Sequence, residues 1–177
     1  VIFLKKFLIS IGIIGIILFF YKDRIIIPKD SIRIRILANS NSEYDQHIKE
    51  EVKDILENDL SSLLINSKRI NEAREKIINH IDELDYKIDT FLKENKYNQN
   101  YSIDYGYHYF PRKEYKGVTY DEGMYESLLV TLGNGNGDNW WCVMFPPFCL
   151  IEASGQGKET IEYRWYVKDI INKYFKD

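Results

Sequence analysis

The chain has 177 residues, 45% of them hydrophobic and 29% charged, which is the composition of a globular domain long enough to bury one sizeable core. Lysine and arginine number 24 against 27 acidic residues, a formal charge of −3, which argues against a non-specific nucleic-acid binder. Two cysteines are too few for a disulfide-scaffolded miniprotein or a four-cysteine zinc site.

Residues 1–21 stand apart. Lys5 and Lys6 precede an uncharged apolar run from Phe7 to Tyr21, and Lys22, Asp23 and Arg24 close it. A basic stretch followed by an apolar one has the form of an export signal. As a helix the run reaches about 22 Å, short of the roughly 30 Å hydrocarbon core. No small-x-small cleavage site follows, so the segment reads as a signal peptide or an uncleaved signal anchor. The two lysines keep its start in the cytoplasm and send the body, residues 22–177, outside. That body carries a charge of −5 once Lys5 and Lys6 are set aside, so its own field does not hold it on anionic lipid.

Ser31 to Ala38 alternates, with Ile32, Ile34 and Ile36 on one face and Arg33 and Arg35 on the other, the pattern of a half-buried strand. Asn39 to Ser42 suits a turn and a helix N-cap, and Glu43 and Asp45 follow where negative charge favours the helix dipole. Ile48, Val52, Ile55, Leu56, Leu60, Leu63 and Leu64 then recur at helical spacing. After a break at Asn66 and Ser67, Ile70, Ala73, Ile77, Ile81, Leu84, Ile88 and Phe91 form a second stripe. Two amphipathic helices in succession predict a helical hairpin on a sheet.

From Tyr101 the pattern turns to strands: Tyr101 to Phe110, a shorter one within Lys113 to Tyr120, Tyr125 to Leu132, and Trp140 to Phe145. Ser154 to Lys158 reads as a flexible joint. Glu159 to Tyr174 reads as a closing helix with Ile161, Trp165, Val167 or Lys168, and Ile171 on its stripe. The predicted fold is α+β: an antiparallel sheet with a helical hairpin inserted after the first strand and a C-terminal helix, preceded by the N-terminal signal or anchor helix.

The loop carrying Gly133, Gly135 and Gly137 lacks the lysine and hydroxyl of a phosphate-binding loop and leads into a strand, so it reads as a hairpin turn. Pro146 and Pro147 mark a second turn. In an oxidising location that bend would let Cys142 and Cys149 approach within disulfide range. The rival is a cysteine hydrolase with Cys142 as nucleophile, His108 as base and Asp138 or Asn139 as orienting group. His47, His80 and His108 show no metal-ligand spacing. No catalytic set, metal site or cofactor motif emerges. Trp140 and Trp141 alternate across a strand, so one ring points inward; the other, near Tyr105, Tyr107 and the Pro146-Pro147 turn, suits an aromatic patch for a protein or a sugar.

These stretches carry a resemblance. Ile34 to Ser42 with Asp45 and Gln46, Val52 to Asp54, Tyr105 to Pro111, Gly123 to Glu126, and above all Leu132 to Cys149 resemble the stage II sporulation protein R family of endospore-forming bacteria. Arg35-Ile36 and Asp121-Glu122 depart from the family's usual residues. The resemblance implies a protein made in the forespore and exported to the intermembrane space. There it triggers a membrane-embedded mother-cell protease that processes pro-sigma-E; the protein itself is a signal and not an enzyme. The expected partners are that protease and, through residues 1–21, the membrane, with no nucleic acid and no small-molecule substrate. The expected contact surface comprises Asn39, Ser40 and Asn41, then Tyr105, Tyr107, His108 and Phe110, then Asn139, Trp140 and Trp141. The alternative is a cell-envelope enzyme or carbohydrate-binding module acting on peptidoglycan.

Overall fold

A computed structural model describes residues 25–149 and 160–175. The elements in chain order are β1 (Ile25–Ile26), β2 (Ile32–Leu37), α1 (Glu43–Leu64), α2 (Ile70–Glu94), β3 (Tyr101–Phe110), β4 (Lys113–Tyr115), β5 (Val118–Tyr120), β6 (Gly123–Leu132), β7 (Asn139–Phe145) and α3 (Thr160–Phe175). The signal or anchor helix expected over residues 1–21 and the joint at Ser154 to Lys158 lie outside the described residues.

The main sheet has four strands in the order β3-β6-β2-β7, and a smaller sheet has the order β1-β5-β4. The expected α+β class is present, but the sheet is mixed. β2 runs parallel to β6, with Arg33 opposite Ser127 through Leu37 opposite Thr131, and antiparallel to β7. β1 and β5 are also parallel. Short links suggest antiparallel neighbours, yet the link between β6 and β7 joins strands that are not adjacent, because β2 lies between them. The Gly133–Gly137 loop is therefore an arch over the end of β2 and not a hairpin turn.

β2 occupies the middle because both of its faces are buried. Ile32, Ile34 and Ile36 face the helices, where they meet Leu128, Val130, Leu132, Met144 and the apolar stripes of α1 and α2. Ser42 caps α1 by accepting the Asp45 amide at 3.1 Å, and Glu43 and Asp45 occupy the first turn. The stripe residues Ile48, Val52, Leu56, Leu60 and Leu64 of α1, and Ala73, Ile77, Leu84 and Ile88 of α2, are buried.

The opposite face departs from expectation. Alternation pointed Arg33 to solvent, but Arg33 is fully buried. A second core covers this face: Ile25, Ile27, Val118, Tyr120, Val143, Phe148 and Val167, with Trp141, Ile170 and Ile171 packed against it. Within α3, Val167 is buried but Trp165 is 66% exposed and leaves the expected stripe. The strand expected within Lys113 to Tyr120 divides into a hairpin, because Lys116 and Gly117 both take positive φ (46° and 75°), the pair of conformations a tight two-residue turn needs.

Candidate contact surface

The expected contact residues do not form one surface. The structure distributes them over the top of the sheet, its two edges and its interior.

Asn39, Ser40 and Asn41 lie where β2 runs into α1, and the Gly133–Gly137 arch closes over them. Asn39 Oδ1 accepts the Asn134 amide at 3.0 Å, and Asn41 Oδ1 accepts the Asp138 amide at 2.6 Å. The Gly137 amide donates to the Ala38 carbonyl at 2.8 Å, and the Asn136 amide to the Asn39 carbonyl at 3.2 Å. Beneath them Asn39 Nδ2 and Ser40 Oγ both donate to Asp45 Oδ2. Burial pushes the Asp45 carboxyl up, but the hydrogen bonds from Ser40, Asn39 and Ser42 outweigh it and hold the group below its usual range. Glycine is required here by space: a Cβ on Gly137 would meet the Ser40 carbonyl oxygen at 2.3 Å, and one on Gly133, at φ +56°, would meet Asn39 Oδ1 at 2.2 Å. The polar side chains that suggested a recognition loop are thus engaged in tying the arch to the start of α1.

The two tryptophans sit on the opposite edge from β3. Trp140 faces α1 and lines a small apolar recess with Leu56, Leu60, Met144 and Cys149. Trp141 faces the second core, edge-on to Phe110 at 5.6 Å and Tyr120 at 5.1 Å between ring centroids. It does not reach Tyr105 or Tyr107, which lie on the other face of the sheet with Trp140, so the expected patch of one outward tryptophan with Tyr105 and Tyr107 does not include Trp141. Phe110 is fully buried and is withdrawn as a contact residue. Phe110, Trp141 and Tyr125 box the Arg33 guanidinium, which stacks 3.3 Å from the Tyr125 ring centroid and has no hydrogen-bond partner among the described residues. Burial lowers its pKa, opposed in part by Tyr125 and Tyr120. Asn139, at the start of β7, is exposed.

What stands open is the far end of β3 and β6. Tyr107 is 68% exposed, Tyr109 54% and Met124 60%, and Tyr109 lies directly opposite Met124. The expected set contained only Tyr107 of these three. Tyr109 was legible as a strand residue and Met124 lay just before the predicted strand, which starts two residues earlier than expected; nothing local showed that the helices stop short of either. Tyr105 is held inward: its hydroxyl donates to Glu126 Oε1 at 2.8 Å, and Arg74 grips the same carboxylate through Nε and Nη2. Burial alone would raise the Glu126 carboxyl, but Arg74 and then Tyr105 lower it.

Three constellations bear on chemistry. Cys142 and Cys149 form a disulfide with a Cα separation of 5.8 Å, and Cys142 faces the helices whereas His108 lies on the opposite face. The cysteine-hydrolase alternative is therefore overturned, because the thiol is bonded and the base is elsewhere. His108 instead links Ser127 Oγ (2.7 Å from Nδ1) to Asp104 Oδ2 (2.8 Å from Nε2), a Ser-His-Asp chain the sequence reading missed. Ser127 is fully buried, so its hydroxyl has no open side for a substrate carbonyl, and the chain fixes the imidazole in place. Asp59, His80 and Glu83 bring ligand atoms within 4.8 Å of one another. His80 faces the two carboxylates with different ring nitrogens, and Lys87 Nζ bridges both, so the carboxylates are already engaged by the chain's own lysine.

Fold and surface together define a mixed α+β domain with a solvent-facing aromatic strand end at Tyr107, Tyr109 and Met124. Comparison with known proteins assigns the family: residues 28–155 match the model for stage II sporulation protein R, and the chain belongs to that family. It is 38% identical over 130 residues to the stage II sporulation protein R of Bacillus subtilis (strain 168), covering 73% of this chain and 58% of that protein. The matched region thus spans less than two thirds of the relative's length. No solved structure matches. Family membership gives the chain a role in sporulation.

Proposed function

We propose that this protein is an exported sporulation signal that activates a membrane-embedded mother-cell protease processing pro-sigma-E. Three observations support the reading: membership of the sporulation family, the apolar segment behind Lys5 and Lys6, and the open cluster of Tyr107, Tyr109 and Met124. The cluster carries it, because exposed tyrosines flanked by a methionine are the side chains that supply contact energy at low entropic cost. No helix of the described residues is long and apolar enough to cross a membrane. A trigger must bind the active arrangement of its receptor more tightly than the resting one, since equal binding shifts nothing.

The test is co-expression with the candidate receptor protease and its precursor substrate. Tyr107→Ser combined with Tyr109→Ser removes two exposed anchors, each worth about 2 kcal/mol at a hot spot, and lowers processing at least about tenfold while export and melting temperature are unchanged. Undiminished processing by that variant would refute the assignment. The rival reading, an envelope enzyme or carbohydrate-binding module, rests on the same tyrosines as sugar-stacking platforms. Cleavage or retention of purified muropeptides would decide in its favour.

A further inference from the structure

β3 is the edge of the main sheet, ten residues long and in unbroken register with β6 from Tyr101–Leu132 to Phe110–Gly123. Its other edge is unpaired among the described residues. Natural edge strands are guarded by lysines, prolines, bulges or short length. β3 has none of these: it contains no lysine and no proline, and its only ionisable acid and base are Asp104 and His108. Both lie on the face away from the helices, two residues either side of Gly106.

Gly106 is not explained by the single chain. Its φ lies outside the left-handed region, and a Cβ there would meet nothing closer than Asp104 Oδ2 at 4.0 Å. Glycine inside a strand weakens it, and such a residue marks the close approach of another backbone.

We infer that two copies of this chain pair antiparallel along β3, with Gly106 on the two-fold axis, to form one continuous eight-stranded sheet. This goes beyond the proposed function and does not depend on it. A two-fold perpendicular to the sheet sets residues opposite each other only within one face. The axis at Gly106 sets the Asp104–His108 pair of one chain (Oδ2 to Nε2, 2.8 Å) against the same pair of the second copy, so that each carboxylate lies opposite the other copy's imidazole and the four groups form one cluster of alternating charge. On the other face it sets Tyr105 opposite Tyr107, and Ile103 opposite Tyr109. Moving the axis one residue either way leaves Asp104 facing Gly106 or Phe110. Moving it two sets Asp104 against Asp104, or His108 against His108. The Gly106 register alone matches charge with charge partner and apolar with apolar. The two absent side chains at the axis leave room for the carboxylates and imidazoles above them.

The experiment is sedimentation of the full chain in detergent across a concentration series, with and without Asp104→Lys. That side chain is 69% exposed and its bond is to His108 of its own strand, so an unchanged melting temperature of the variant is the control for folding. Any association through residues 1–21 is common to both proteins. The wild type dimerises, Asp104→Lys weakens association at least about tenfold, and the exchange Asp104→His with His108→Asp restores it. Cross-linking fixes the register. At the axis the two Cα atoms stand about 4.5–5.5 Å apart, within disulfide range, so Gly106→Cys yields a covalent dimer on mild oxidation. Ser102→Cys does not, because its two copies lie roughly 27 Å apart. A wild type that stays monomeric, a dimer indifferent to Asp104→Lys, or cross-linking of Ser102→Cys as readily as Gly106→Cys would overturn the inference.

Discussion

Asp45 holds the junction on which the fold turns, and replacing it with asparagine tests that reading. Its side chain is 7% exposed and accepts from Ser40 Oγ and, at 2.9 Å, from Asn39 Nδ2. Asparagine keeps the shape but loses the charge, and its amide hydrogens oppose one of the two donors. Hydrogen bonds to a charged group contribute about 1.5–3 kcal/mol each, so losing one and weakening the other lowers stability by about 3 kcal/mol. With a urea m-value of about 2 kcal/mol/M for a domain of this size, the midpoint falls by about 1.5 M. Because Asn39 also holds the Asn134 amide, hydrogen exchange at Asn134, Gly137 and Asp138 accelerates in the variant. The pH dependence follows from the lowered carboxyl. A group whose folded pKa is depressed contributes stability above its unfolded value, about 3.9, and that contribution is lost as pH falls through the folded value. The difference between Asp45→Asn and wild type is therefore full and flat from about pH 5 to 8 and closes on acidification below about pH 4. A variant within about 0.5 kcal/mol of wild type at pH 7, or a gap that widens in acid, would refute the reasoning.

Other substitutions probe separate parts of the structure. Cys142→Ser with Cys149→Ser opens an eight-residue loop and costs about 2.5 kcal/mol by chain entropy, read as a lower urea midpoint that no longer responds to reductant. Gly137→Ala forces the Ser40 carbonyl aside and destabilises by about 3 kcal/mol or more, whereas Gly106→Ala, with open space at its Cβ, changes stability by less than about 1 kcal/mol in the monomer. Arg33→Met replaces a buried cation that has no hydrogen-bond partner among the described residues. It raises the midpoint by the equivalent of about 1–2 kcal/mol; a loss would mean that stacking on Tyr125 outweighs desolvation.

How much of this was legible in the sequence varied with the range of the forces involved. The two long helices, their stripes and the Ser42 cap could be read because hydrophobic period and capping act over three or four residues. The strands of β3, β6 and β7 were legible for the same reason. The pairing order was not. β2 intervenes between β6 and β7 with both of its faces covered, and the cover for its Arg33 face comes from Ile25, Ile27, Val118, Tyr120 and Val167, far away in the chain. The same distance misled the reading of the contact residues. Asn41 and Asp138 are 97 residues apart, so the hydrogen bond that turns a recognition loop into an internal tie left no local trace. Phe110 and Trp141 read as surface aromatics until the Arg33 box enclosed them, while Tyr109 and Met124 stand open where the helical layer ends.

The residue order by itself determined the α+β class, the helical hairpin that follows the Ile32–Leu37 strand, and the family, since each is written in local periodicity or in runs of specific residues. Only the tertiary structure decided that the sheet is mixed, that the glycine arch crosses β2, that Asp104, His108 and Ser127 meet, and that β3 is an edge strand among the described residues. Strand neighbours are chosen by which faces need burial once every element is in place, and that competition is global.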